Sequence, residues 1–300
     1  MKVYYVGVDC GGTSLRAAAA GPSGTVLGEL VVATGHAQDR ENGLGEAICA
    51  IVADLLADLV EEGDEIGGIG IGLPFVCWDG KAWLYRNVKA LDPGRLAAEL
   101  SLAWNCPVRL QNDVKCAALG EAWLGAARGE DSFVFVNVGT GLSSAIYAQG
   151  RVLQGAHGAA GEIAYWVAEA EDGVGFSEGL GPLEEIMSGV GLSGAYERLS
   201  PGREALTAEA IFLRAGTGDE PARKVIERGM TYLLPALANL ATLLDPGLMV
   251  LGGGVSRGLG PFLPRMEAYL GRMTPFPPRL LFSGLGGRAG LIGAIKLAMG

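Results

Sequence analysis

The sequence predicts an α/β fold built from a duplicated unit, and three observations carry that prediction. Residues 6–13, Val-Gly-Val-Asp-Cys-Gly-Gly-Thr, run a β-branched stretch into a glycine turn holding a threonine, and residues 136–141, Val-Asn-Val-Gly-Thr-Gly, repeat the pattern. Each turn leads through an apolar run to a second glycine turn: Gly24 lies 11 residues after Thr13, and Gly150 lies 10 after Thr140. Strand-like and helix-like stretches alternate, the pattern of layered sheets and helices. Glycine lets backbone N–H groups approach phosphate oxygens, and the threonine hydroxyl adds a donor. Two such turns in the same setting point to a nucleotide between the halves.

Taken in order, runs rich in Val, Ile, Leu or aromatics predict strands at 3–9, 15–20, 25–32, 66–72, 107–111, 132–137, 143–148 and 247–252. Apolar residues at 44, 48, 51, 52, 55, 56, 59 and 60 have helical spacing, and Gly63 ends that helix. A second helix is expected over 114–124, and two more over 207–244, divided near Gly216–Gly218. The halves are expected to be residues 1–113 with 288–300 folding back onto them, a small domain, and residues 114–287, a larger one. The returning piece is helical from Leu291 to Met299.

Bulk composition narrows the function classes. A chain of 300 residues, 49% hydrophobic and 19% charged with 49 glycines, describes a compact, loop-rich protein of about two domains. A net charge of −10 argues against nucleic acid as partner, since phosphate backbones demand basic patches. Residues 232–244, the most apolar helical stretch, contain Pro235 and Asn239 and stop at Asp245-Pro246, so no membrane span is expected. Met1 leads almost directly into the first strand, and no signal or transit segment is expected. The five cysteines, Cys10, Cys49, Cys77, Cys106 and Cys116, form no CxxC pair, as in a cytoplasmic protein with reduced structural thiols.

Three stretches carry candidate chemistry. Gly252-Gly253-Gly254 follows the buried strand Leu248-Met249-Val250-Leu251 and offers a flat surface for a purine ring, or else makes a tight strand–helix turn. Gln111-Asn112-Asp113 ends one strand and opens a helix. Asp113 there is either a helix N-cap or a rigidly held carboxylate able to take a proton from a substrate hydroxyl, with Asn112 bonding the same substrate. Glu162 stands in a small, apolar stretch, where a polyhydroxyl ligand would give it a partner, and Leu183-Glu184-Glu185-Ile186 supplies further carboxylates. Residues 189–194 match GxGxxG but follow a helical stretch rather than a strand, so a dinucleotide fold is not expected from them. With two histidines, His36 and His157, and no paired cysteines, a zinc site is not expected, and His157 reads as a turn residue.

Together these pieces resemble the ROK sugar kinases, a bacterial branch of the actin/hexokinase/Hsp70 superfamily, along nearly the whole chain. Asp9-Cys10-Gly11-Gly12-Thr13 resembles that family's first phosphate motif, and Gly139-Thr140-Gly141 its second. Asn112-Asp113 followed by Ala117-Ala118-Leu119-Gly120-Glu121 resembles its catalytic signature, Gly161-Glu162-Ile163 its sugar signature, and Gly252-Gly253-Gly254 its adenosine motif. The resemblance implies duplicated ribonuclease-H-like (actin-like ATPase) domains around an interdomain cleft whose closure excludes water. It implies phosphoryl transfer from ATP with Mg²⁺ to a hexose hydroxyl, usually that on carbon 6, with glucose the default acceptor. N-acetylmannosamine, N-acetylglucosamine or a β-glucoside are alternatives. Asp113 would be the general base and Asp9 would help hold the Mg²⁺ environment. Gly11, Gly12, Thr13 and Gly139 to Gly141 would surround the phosphates. Asn87, Asn112, Asp113, Glu162 and Glu184 would bind sugar hydroxyls. A homodimer, free of membrane and nucleic acid, is implied as well.

The chain also departs from the family. Ala164 and Tyr165 replace a Gly-His pair whose histidine touches both the sugar and a structural zinc, and Gly175, Ser177 and Pro182 replace the zinc cysteines. A zinc-free member is expected, with its 172–184 loop held by glycine turns and by Phe176, Leu180 and Leu183. Tyr165 and Phe75 fall where the sugar's ring substituents would lie, which bears on sugar identity, and Gln111 replaces a frequent glutamate. Two other classes are a sugar-sensing protein without kinase activity and a ROK transcriptional regulator. The regulator needs an N-terminal helix-turn-helix, whereas here the kinase motifs begin at once and the charge is acidic.

Overall fold

The structure, a computed structural model, describes residues 1–11, 14–34, 43–74, 76–78, 81–83, 91–167 and 180–300. They form two compact units: Met1–Gly129 with Arg151–Ala160 and Arg288–Gly300, and Glu130–Gly150 with Gly161–Gly287. The expected division lay at residue 113, so the finding differs in placing the helix that follows, and residues 151–160, with the first unit.

The chain runs β1 (Val3–Cys10), β2 (Ser14–Ala20), β3 (Val26–Ala33), α1 (Gly43–Ala57), β4 (Glu65–Leu73), β5 (Val76–Trp78), β6 (Lys81–Trp83), α2 (Pro93–Trp104), β7 (Val108–Asn112) and α3 (Asp113–Leu124). Next come β8 (Ser132–Val138), β9 (Leu142–Ala148), β10 (Arg151–Val152), α4 (Pro182–Met187), α5 (Gly189–Leu199), α6 (Ala208–Gly216) and α7 (Glu220–Leu244). Finally β11 (Leu248–Gly252), α8 (Leu263–Met273), β12 (Arg279–Phe282) and α9 (Ala289–Met299) complete it.

In the first unit the strand order is β3-β2-β1-β4-β7, with β1–β2 and β2–β3 antiparallel and β1–β4 and β4–β7 parallel. In the second unit the order β9-β8-β11-β12 repeats β2-β1-β4-β7 strand for strand, with β8–β9 antiparallel and β8–β11 and β11–β12 parallel. The duplication read from two glycine turns is thus a duplication of sheet topology.

Side chains alternate across a strand. Val6 and Val8 of β1 therefore join one face, where Ile48, Ile51, Val52 and Leu55 of α1 and Leu96 and Leu100 of α2 complete a buried core. Glycines on the other face admit α9 at backbone contact. A Cβ on Gly7 would lie 2.6 Å from the Ile295 nitrogen, and one on Gly70 2.1 Å from the Ala294 carbonyl oxygen. α3 packs on α9 by the same device, since a Cβ on Gly293 would lie 1.6 Å from the Cys116 carbonyl oxygen. That close packing is why α3 belongs to the first unit.

The second unit has its own core, in which Val134, Val136 and Val138 of β8 meet Met249 and Leu251 of β11 and the buried stripe of α7. Asp219 caps α7 by accepting the Ala222 N–H, and Asp245 ends it in the left-handed region at φ 45°. Among the described residues no helix is long and apolar enough to cross a membrane.

Candidate active site

In the first unit two carboxylates sit at the ends of β1 and β7, the strands on either side of β4. Asp9, next to last in β1, pairs in register with Arg16 of β2 and Gly72 of β4. Burial pushes its pKa up to about 6, against a partial offset from the Arg16 guanidinium. The close approach of α9 adds to the crowding, since a Cβ on Gly290 would meet the Asp9 carboxylate at 2.7 Å.

Asp113 begins α3. The helix N-cap is Asn112, whose Oδ1 accepts the N–H groups of Val114 and Lys115 at 3.1 and 3.2 Å. The N-cap alternative for Asp113 is thereby corrected: the residue stands one position on, with its Oδ1 accepting the Val114 N–H at 2.8 Å. Negative charge is favoured at that end of a helix. Gln111 fixes the junction from behind, its Oε1 accepting the Asn112 N–H at 2.9 Å.

Gly72 lets this junction lie against β4, because a Cβ there would contact the Asp113 Cα at 3.5 Å and the Cys116 sulfur at 3.4 Å. Cys10 and Cys116 are buried beside the two aspartates. Burial, reinforced by the charges of Asp9 and Asp113, pushes both thiols well above their ordinary range, which marks them as inert packing groups. Glu121 is also structural: fully buried, it accepts the Ala126 N–H at 2.6 Å.

In the second unit the turn Gly139-Thr140-Gly141 joins β8 to β9. Its carbonyls are tied down from one side, where Gly189 N–H and Val190 N–H at the start of α5 donate to Gly139 O and Thr140 O at 2.8 and 3.2 Å. Gly139 N–H donates to Gly141 O at 2.9 Å, and the Leu142 N–H is taken by Glu184 Oε2 at 2.8 Å. The N–H groups of Thr140 and Gly141 have no acceptor among the described residues. A turn with tethered carbonyls and open donors is an anion-binding arrangement. Burial raises the pKa of Glu184, and the Leu142 N–H opposes that rise.

Gly252-Gly253-Gly254 abuts this turn. Gly139 and Gly253 approach so closely that a Cβ on Gly139 would lie 3.7 Å from the Gly253 Cα. Gly253 has φ +86°, and a Cβ there would meet the Val138 carbonyl oxygen at 2.4 Å, so no other residue fits. Beside it opens a cavity of about 250 Å³ lined by Gly253, Gly254, Ser256, Arg257, Phe282 and Ser283 among others.

Glu162 is half-buried beside β9, where the Ser143 hydroxyl donates to its Oε2 at 3.4 Å. Gly161, at φ +95°, presents its carbonyl to both the N–H and the hydroxyl of Ser144, at 2.8 and 2.9 Å, and this pins the segment to β9. Tyr165 is half-buried in the 3₁₀ turn Ile163–Tyr165 that follows.

Gly11 closes on β2 through its N–H to Ser14 O at 2.9 Å, while Gly12 and Thr13 lie outside the described residues. So do Asn87, Phe75, His36, Gly175, Phe176 and Ser177. His157 lies in a turn, as expected. Sequence reasoning did not single out Ser143, Arg257 or Lys115, the last a fully buried lysine whose Nζ donates to Gly158 O. A lysine two positions past an Asn-Asp helix start was the available signal for Lys115, since its place in the helix already put it near the core.

Known proteins are similar to this chain over nearly its whole length. The chain is 31% identical over 312 residues to a glucokinase of Halalkalibacterium halodurans, covering 97% of this chain and 93% of that protein. It is 31% identical over 296 residues to the N-acetylmannosamine kinase of Escherichia fergusonii, with 98% and 97% covered. In structure it resembles a ROK family glucokinase from Streptomyces griseus, solved in complex with glucose and AMPPNP, at a TM-score of 0.77 and 28% identity, with 98% and 99% covered. The sequence profile of the ROK family matches residues 5–300, and the chain belongs to that family.

Proposed function

We propose that this chain is an ATP-dependent sugar kinase that transfers the γ-phosphoryl group to a hexose hydroxyl, with O6 of glucose the default acceptor. The observation that carries the reading is the contact between two glycine turns of the second unit. Open N–H donors at Thr140 and Gly141 lie next to a cavity at Gly253 and Gly254 of a size for a nucleoside base. Membership of a family with named sugar kinases among the relatives supports it from a second direction.

Each residue then has a task. The open N–H groups of Thr140 and Gly141 hold phosphate oxygens with main-chain donors, which suffices for a reaction that relies on positioning and charge neutralisation, and the family resemblance puts Gly11 to Thr13 at the phosphates too. Asp113 takes the proton of the attacking hydroxyl, its carboxylate oriented by the Val114 N–H and by the Asn112 cap behind it. Asn112, Glu162, Tyr165, Glu184 and Asn87 meet the other hydroxyls. Asp9 fits a magnesium environment, because a carboxylate pushed to about 6 by burial regains its charge beside a cation. The magnesium supplies neutralisation of the phosphate charge. The same reading takes the enzyme as a cytoplasmic homodimer and leaves N-acetylated hexosamines as the second acceptor class, which the relatives include.

A coupled ADP-release screen over hexoses and amino sugars tests the reading. At least one sugar is expected to turn over, and Asp113→Asn should keep sugar and ATP binding while kcat falls roughly 10²–10⁴-fold. Near-normal turnover in the variant would remove Asp113 from the mechanism. Silence across the panel would remove the kinase.

A further inference from the structure

The cavity beside Gly253 and Gly254 has one charged side chain among its described lining residues, Arg257. Its backbone is fixed: the preceding residue, Ser256, donates both its N–H and its hydroxyl to Gly253 O, at 3.2 and 2.7 Å, at the start of the 3₁₀ segment Val255–Phe262. The guanidinium itself is exposed and has no hydrogen-bond or ion-pair partner among the described residues. Other arginines of the same unit, Arg203, Arg265 and Arg279, are paired with Asp219, Glu227 and Glu130.

The rest of the lining is flat and mostly without free polar side chains. Ser283 Oγ accepts the Gly286 N–H at 2.8 Å, Ser256 Oγ is turned to Gly253, and Gly254, Gly260 and Gly287 carry no side chain. Phe282, half-buried at the end of β12, adds an aromatic surface. A planar cation beside flat, uncharged walls suits an aromatic heterocycle. To a chain of phosphates the described lining offers a single charged side chain.

We propose that Arg257 grips the base of the donor nucleotide, stacked on its ring, and so makes purine nucleoside triphosphates the donors in preference to pyrimidine nucleotides and inorganic polyphosphate. The proposal rests on the kinase reading of this site for the word donor, and on the cavity alone for the base contact. A purine offers the guanidinium a larger π-face than a pyrimidine, which is the source of the preference. Adenine and guanine share that face, so ATP and GTP are both accepted.

The test is equilibrium titration of wild-type, Arg257→Ala and Arg257→Lys proteins with ATP, GTP, CTP and UTP, alongside steady-state kinetics with each donor and with polyphosphate. Wild-type protein is expected to bind ATP and GTP more tightly than CTP and UTP. Arg257→Ala should weaken purine binding roughly 2- to 30-fold, the range of a cation–π contact, and raise the donor KM while sugar KM holds. Arg257→Lys should recover part of the loss. Unchanged ATP affinity in Arg257→Ala overturns the proposal, as does an equal loss for all four nucleotides, which would mark a charge effect on the phosphates. Polyphosphate serving the wild-type enzyme as well as ATP overturns it too. Binding needs no sugar, so purine-specific loss without any sugar turnover would sink the kinase reading and leave Arg257 in place. An active kinase indifferent to Arg257 would do the reverse.

Discussion

At the scale of single residues, Asp9 shows how a candidate active site works against stability. Its pKa of about 6 means the folded chain holds that proton more tightly than the unfolded one does. Between roughly pH 4 and 6 the folded state carries more protons, so stability from this group is full below pH 4 and is lost as pH rises through 6. Asp9→Asn should therefore stabilise the nucleotide-free protein by on the order of 3 kcal/mol at about pH 8, and by a small fraction of that near pH 4. Urea denaturation at the two pH values measures it. An equal gain at both would show that the substitution acts through packing, and loss of activity is expected throughout. The sequence named Asp9 and Asp113 from their motifs, but neither Asp9's raised pKa nor the Asn112 cap was legible there. The first depends on what packs against the end of β1, Gly290 of α9, from far along the chain, and the second on which of two adjacent polar residues turns its oxygen to the helix N–H groups.

At the scale of elements, the β8–β9 turn is held by α4 and α5 rather than by its own strands alone. Glu184 of α4 reaches the Leu142 N–H, and the first N–H groups of α5 reach the turn carbonyls. The family resemblance gave Glu184 a task at the sugar, whereas the structure adds one behind the turn. The two tasks separate by substitution. Glu184→Gln keeps an acceptor for Leu142, so its stability should stay close to wild type while sugar KM rises. Glu184→Ala leaves that N–H bare at a cost of about 1–3 kcal/mol and should raise donor KM as well. Equal stability of the two variants would leave Glu184 to the sugar alone.

Strands β1 to β4, β7 to β9 and β11 were legible almost to the residue because β-branched runs end abruptly at glycine, as Val8 does before Gly11 and Val138 before Gly139, whereas the two- and three-residue β5, β6 and β10 are too short to show a pattern. The element α2 was missed although Asp92, Pro93, Leu96 and Leu100 give a cap, a first-turn proline and an i,i+4 pair. β12 was missed because four residues after two prolines carry too little pattern to stand out. α5 was hidden by its opening glycines, which resemble a turn until Ser188 is seen to accept the Gly191 N–H as a cap.

At the scale of the whole molecule, the repeated strand order was announced by two short glycine motifs, while the packing of α3 on α9 was not. That packing uses glycines 173 residues apart in sequence, Gly120 and Gly293, and no local pattern reports such a pairing. The family's structural metal belongs to this scale as well. By the family resemblance, Tyr165 would take the position of its zinc histidine, and Gly175, Ser177 and Pro182 those of its zinc cysteines. Among the described residues no group of three histidine, cysteine or acidic side chains is placed to hold a metal ion. Elemental analysis of purified protein is expected to find zinc far below one atom per chain. A one-to-one content would mean that other residues supply the ligands.

The abutting turns at Gly139 and Gly253 share one hydrophobic core, whereas Asp113 is mounted on another. Under the kinase reading, the base that activates the alcohol is therefore encoded apart from the donor turn, whereas Glu184 serves that turn and the sugar alike. A lineage that changes its sugar through Glu184 disturbs its phosphate currency too, and one that tunes Asp113 does not.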